Sequence, residues 1–203
     1  MTARAAATNR AQQGEKLRAP VLGMVLFIAS EVMFFGALFG AYYTLRADAA
    51  RWPPPGTPEL ELVRPLVLTA VLLSSSATQH LALRAARGGN RASTIRWLST
   101  TVLLGAAFIV EEGYEWAVFI SDGFTVATNI FGTLFFTMTG FHGLHLLAGL
   151  AILLLALTHS VRASRPARGL GSLEAATLYW HFVDGVWLFL LFTLYVLNVV
   201  DGA

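Results

Sequence analysis

A few ionisable side chains stand inside the long apolar runs of this sequence, and any chemistry has to be sought among them: Glu31, Glu112, Glu115, His142, His145, His181 and Asp184. Glu31 is the sharpest. It lies roughly 16 Å along a helix from the start of the run that opens at Val21, near the middle of a hydrocarbon layer about 30 Å thick. A carboxylate there costs at least about 2.5 kcal/mol on insertion scales, so the glutamate is either a functional acid or a protonated or hydrogen-bonded group that glues two helices.

The imidazoles come in pairs. Thr139-Gly-Phe-His-Gly-Leu-His145 places His142 and His145 three residues apart, on one helix face near mid-membrane. Two imidazoles fall short of the three or four ligands a metal takes, and glycines 140, 143 and 149 point to close helix contact, so buried histidines bonding across an interface are the plainer reading. In Tyr179-Trp-His-Phe-Val-Asp184 a carboxylate again follows an imidazole by three, a spacing that lets Asp184 orient and charge-stabilise His181. The basic loop before it sets this pair toward the cytoplasmic end of its helix. Glu111 and Glu115 share a face, where like charges repel unless one is protonated or a partner answers them. No binding loop accompanies them, so carboxylates contacting other helices are expected rather than a cation site. Ser74, Ser75, Ser76, Thr78 and Gln79 supply groups for interhelical hydrogen bonds.

The elements that must hold these residues follow from composition. The 203 residues are 56% hydrophobic and 13% charged with a mean hydropathy of +0.62, against a charged share of about 25% in soluble domains, which makes this an integral membrane protein. There is no cysteine, so disulfides, thiolate metal sites and cysteine nucleophiles are excluded. The basic residues do not cluster on one soluble face, so the pI near 9.3 does not signal nucleic acid. Walker, dinucleotide, nucleophile-elbow and zinc-protease motifs are all missing.

Apolar spans are expected at 20–45, 65–83, 97–120, 130–158 and 178–200, each long enough to cross a bilayer. The fold class is therefore all-α: one bundle of five transmembrane helices over residues 20–203, preceded by a cytoplasmic tail at 1–19. Eleven lysines and arginines fall on one side and three on the other, which predicts the N-terminus in the cytoplasm and the C-terminus in the periplasm. The four prolines of Trp52-Pro-Pro-Pro-Gly-Thr-Pro58 should make the first external loop a stiff cap. No internal repeat marks an inverted-repeat transporter.

Eight ordered segments carry a resemblance: Gly23-Met-Val-Leu-Phe-Ile-Ala-Ser-Glu-Val-Met-Phe-Phe35, Trp52-Pro-Pro54, Gly89-Asn-Arg91, Glu115-Trp116, Ile120-Ser-Asp-Gly123, Thr139 to His145, Leu173-Glu-Ala-Ala176 and Tyr179 to Asp184. In order and spacing the chain resembles subunit III of haem-copper terminal oxidases, in the five-helix form of bacteria. The resemblance implies an accessory subunit of the inner membrane with no redox centre of its own. Haem and copper would then reside in partner subunits, with subunit I in direct contact, subunits II and IV in the same complex, and phospholipid bound. It implies roles in assembly, in protecting the catalytic centre, in proton uptake and in oxygen access, and it marks Glu31 as the family's buried, carbodiimide-reactive carboxylate. Many relatives have seven spans, and they carry glutamine where this chain has Glu112. A nitric oxide reductase accessory subunit and an independent proton-coupled transporter using Glu31 and the histidines are the alternatives.

Overall fold

The computed structural model describes residues 3–162 and 170–202, with side chains from residue 19 to residue 200 outside that gap. The described residues form helices and no strand. They are α1 (Ala3–Asp48), α2 (Val63–Arg87), α3 (Arg91–Ser121), α4 (Ile130–Arg162) and α5 (Leu170–Leu190), which runs through a π-helical segment (Leu191–Val196) into a short α6 (Leu197–Gly202). Five helices are long and apolar enough to cross a membrane. Lipid dictates this outcome, because only a helix satisfies its own backbone polar groups without water.

Helices extend past the apolar spans. The polar segment before residue 20 is helical from Ala3 and continuous with the first span, with Pro20 inside α1. Arg64 stands in the first turn of α2, and α3 starts at Arg91 where Asn90 caps it, the Asn90 side-chain oxygen accepting from the Ser93 amide at 3.0 Å. Leu170 and Gly171 begin α5, eight residues before the expected span; Gly169, Arg165 and Arg168 lie outside the described residues.

Helices α2, α3, α4 and α5 close a square, each packed on the next, and α1 lies outside it against α5 and the edge of α4. Two tryptophans of α5 fasten the square. Trp180 is wholly buried, its indole N–H donates to Ser75 Oγ of α2 at 3.0 Å, and its ring fills the space left by Gly105 of α3 and Gly149 of α4. About two turns further, the Trp187 N–H donates to Thr69 Oγ1 of α2 at 2.9 Å while its ring meets Phe108 of α3 edge-on at 4.7 Å. On α3, Trp116 donates to Thr139 of α4 at 3.2 Å.

The ends are tied as well. Arg87 of α2 bonds Glu174 of α5 at 2.9 Å, and the Arg91 guanidinium donates to the last carbonyls of α4, Ser160 at 3.0 Å and Val161. At the other end the proline loop is pinned to the bundle. Asn129 caps α4 through Gly132 N at 2.8 Å and donates to Thr57 Oγ1 at 3.0 Å, while Trp52 packs edge-on against Tyr42 and Phe131.

A Cβ at residue 105 would lie 2.7 Å from Trp180 Cη2, whereas one at Gly113 on the same helix meets nothing within 4 Å. Gly105→Ala is therefore expected to destabilise the detergent-solubilised chain by about 1–3 kcal/mol. Gly113→Ala should leave its thermal midpoint unchanged or slightly raised; equal midpoints for both variants would show that the indole slot is slack.

Candidate functional site

Glu31 faces inward from α1 and meets His145 of α4, Oε2 to Nε2 at 2.9 Å. His145 sits at the centre of α4, so this pair lies at mid-depth, as expected for Glu31. The other ring nitrogen, Nδ1, contacts the Phe141 carbonyl at 2.6 Å. A carbonyl can only accept, so Nδ1 carries hydrogen, and a single proton remains for the 2.9 Å contact. It sits on the carboxyl with a neutral ring or on the ring with a carboxylate, and the pair is electrically neutral either way. Phe34 and Phe35 flank the imidazole at 6.1 and 5.0 Å between ring centroids, and each partner's side chain is only 17% exposed. The Tyr179 hydroxyl of α5 completes the surroundings by donating to the His145 carbonyl at 3.0 Å.

His142 does not join this pair. Three residues turn a helix by about 300°, which leaves two side chains some 60° apart, enough to face different clefts. His142 is fully buried inside the square, stacked on Trp187 at 5.4 Å with Phe108 edge-on at 6.2 Å, and neither of its nitrogens has a hydrogen-bond partner. The expectation of two histidines sharing a face is corrected accordingly. Among the described residues no three His, Asp or Glu side chains converge as metal ligands.

His181 and Asp184 do come together, Nδ1 to Oδ2 at 3.9 Å, beyond hydrogen-bond range. The closer partner is Ser76 Oγ of α2, at 2.5 Å from the same Nδ1. Ser76 is the fourteenth of the 25 residues of α2, so this dyad lies at mid-depth and not toward a helix end. The reason is the early start of α5, eleven residues before His181. Asp184 is buried, and neither of its oxygens finds a donor.

The three glutamates of α3 separate. Glu111 pairs with Arg64 of α2 at 3.1 Å, and Arg64 also lies over the Tyr114 ring at 5.1 Å. Glu115 accepts from the Tyr195 hydroxyl at 2.8 Å. Thus the like charges are answered within the chain. Glu112 is buried beside Gly143 of α4 with Oε1 unbonded. Tyr195 belongs to the π-helical segment, whose altered register also leaves the Thr193 carbonyl to accept from the Tyr42 hydroxyl of α1 at 2.8 Å. Sequence reasoning missed Tyr42, Tyr195 and Arg64; only contacts 80 to 151 residues apart reveal the two tyrosines. The polar set of α2 behaves as expected: Thr78 bonds Thr101 at 2.8 Å and Gln79 donates to Thr177 at 2.9 Å.

These features define a multi-pass membrane bundle whose buried polar groups mostly serve contacts between its own helices. The family model for cytochrome c oxidase subunit III matches residues 4–199, and the chain belongs to that family. It is 38% identical over 176 residues to a protein of Nocardia farcinica described as probable cytochrome c oxidase subunit 3, covering 86% of each chain. It is 40% identical over 178 residues to cytochrome c oxidase subunit 3 of a Synechocystis species, covering 87% of this chain and 75% of that one. A probable cytochrome c oxidase subunit 3 of Mycobacterium leprae is 35% identical over 192 residues, 94% of both.

Glu31→Gln should keep the contact, because an amide N–H can donate to Nε2 while Nδ1 stays on Phe141. Glu31→Leu and His145→Leu should each cost about 1 kcal/mol, and the double variant little more than either alone. Thermal unfolding of the four proteins checks this; fully additive losses would dissolve the pair.

Proposed function

We propose that the chain is the accessory subunit III of a haem-copper terminal oxidase, built into a bacterial inner membrane with its N-terminus cytoplasmic and its C-terminus periplasmic. Partner subunits reduce dioxygen to water and hold the haem and copper. This subunit contributes to assembly, stability and proton uptake, contacts subunit I directly, and is not catalytic by itself.

The family match over nearly the whole chain carries the reading. The state of the histidines supports it: His145 engages both nitrogens, on Phe141 and Glu31, and His142 is sealed between aromatic rings. The Glu31–His145 contact answers the mid-helix acid within the chain, which suits a supporting subunit. The nitric oxide reductase and transporter alternatives draw no support from the names of the relatives.

Deleting the chain should lower oxidase turnover or hasten its inactivation in membranes while the haem spectrum stays largely intact. Glu31→Gln should still assemble with the haem-bearing subunits. A deletion that abolishes the haem signal itself would assign the chain to the catalytic core instead.

A further inference from the structure

Helix α5 has three sides covered and one bare. Tyr179 and Phe182 face α1, meeting Phe27 and Phe35, while Trp180, Asp184 and Trp187 lie toward α2, and α4 covers the side opposite the bare one. Between the α1 and α2 sides Leu178, His181, Gly185, Leu188 and Phe192 recur at intervals of three and four, all on one face. The three large apolar members are exposed. Gly185 meets nothing within 4 Å of where a Cβ would stand, so another backbone can approach closely there.

The face is not simply greasy. His181 is 40% exposed at mid-depth, where an imidazole open to hydrocarbon is rare unless protein covers it. Ser76 approaches Nδ1 from the α2 side. With the Ser76 hydroxyl donating there, the remaining hydrogen is on Nε2, at the open edge of the ring. Behind it Asp184, with 6% of its side chain exposed and both oxygens unpartnered, stands 3.9 Å from Nδ1 and closes the inner side of the ring. What fits is an elongated apolar object with one hydrogen-bond acceptor at the middle of the bilayer.

We infer that the α5 face between α1 and α2 is the seat of a transmembrane helix of a partner subunit, packed over Gly185 and accepting a hydrogen bond from His181 Nε2. A helix matches the three-four spacing, and small residues let such helices close up in lipid. An acyl chain has no acceptor at that depth. This inference rests on the reading of the chain as a subunit of an oxidase complex.

The cysteine-free sequence makes the test direct. Leu178→Cys and Leu188→Cys would each carry a thiol-linked benzophenone and be irradiated in the intact complex in native membranes, with Val110→Cys on the exposed side of α3 as control. Both α5 positions should cross-link to another oxidase subunit, and Val110 should label lipid alone. Gly185→Leu should leave the amount of chain in the membrane unchanged yet cut its retention with the haem-bearing subunits in mild detergent about tenfold. Lipid adducts alone at 178 and 188, or cross-links only to a second copy, overturn the proposal even if the oxidase copurifies. A wild-type chain that copurifies with no oxidase subunit overturns the functional reading and this inference together.

Discussion

A helical bundle in lipid has no water with which to satisfy an indole N–H, so each buried tryptophan must be given an acceptor and a slot by other helices. Trp180 is the point on which the square of α2, α3, α4 and α5 depends. Its nitrogen is answered by Ser75, and its ring occupies room that only Gly105 and Gly149 leave open. The residue from α5 thus touches each of the other three helices. Trp187 repeats the arrangement with Thr69, Phe108 and His142. Hydrophobic area cannot by itself choose between packings, because lipid tails are as apolar as leucine; donor, acceptor and ring shape can.

With the square fixed, the other polar groups fall into two kinds. One kind is matched inside the chain: Glu31 with His145, Glu115 with Tyr195, Glu111 with Arg64, and the Thr193 carbonyl with Tyr42. These contacts hold α1 and the π-helical segment in place and suit a supporting subunit. The other kind remains unmatched, with His142, Glu112 Oε1 and the Asp184 carboxyl inside, the last beside His181, which bonds Ser76 and reaches the surface of α5. A dyad at a lipid-facing surface belongs with a surface that another protein covers. Glu112 stands against Gly143, and its Oε1 has no hydrogen-bond partner among the described residues.

Much of this was legible in the amino-acid order. Five apolar runs gave five membrane-spanning helices, and Glu31 proved to be a mid-depth, partnered acid. The hydroxyl-rich stretch of α2 bonds other helices as its composition implied. Helix ends were less legible, because polar and small residues in terminal turns do not interrupt a helix although they interrupt an apolar run, and so α5 starts at Leu170, through Gly171, Ser172 and Glu174, rather than near 178. That shift set His181 and Asp184 about three turns inside the helix rather than at its end. Spacing alone also joined His142 to His145, whereas the 60° between them lets one meet α1 and the other enter the square. The partners of Glu115 and of Thr193 lie far away in sequence, and a π-helical segment leaves no periodic mark to foretell them.

The central claim is that this chain is a stoichiometric, non-haem member of a haem-copper oxidase. Native mass spectrometry of the haem-containing fraction from mildly solubilised membranes tests it most directly. The account predicts one copy of the 22.0 kDa chain for each haem-bearing core. A haem fraction free of the chain, with the chain found alone or only in assemblies of itself, would contradict it.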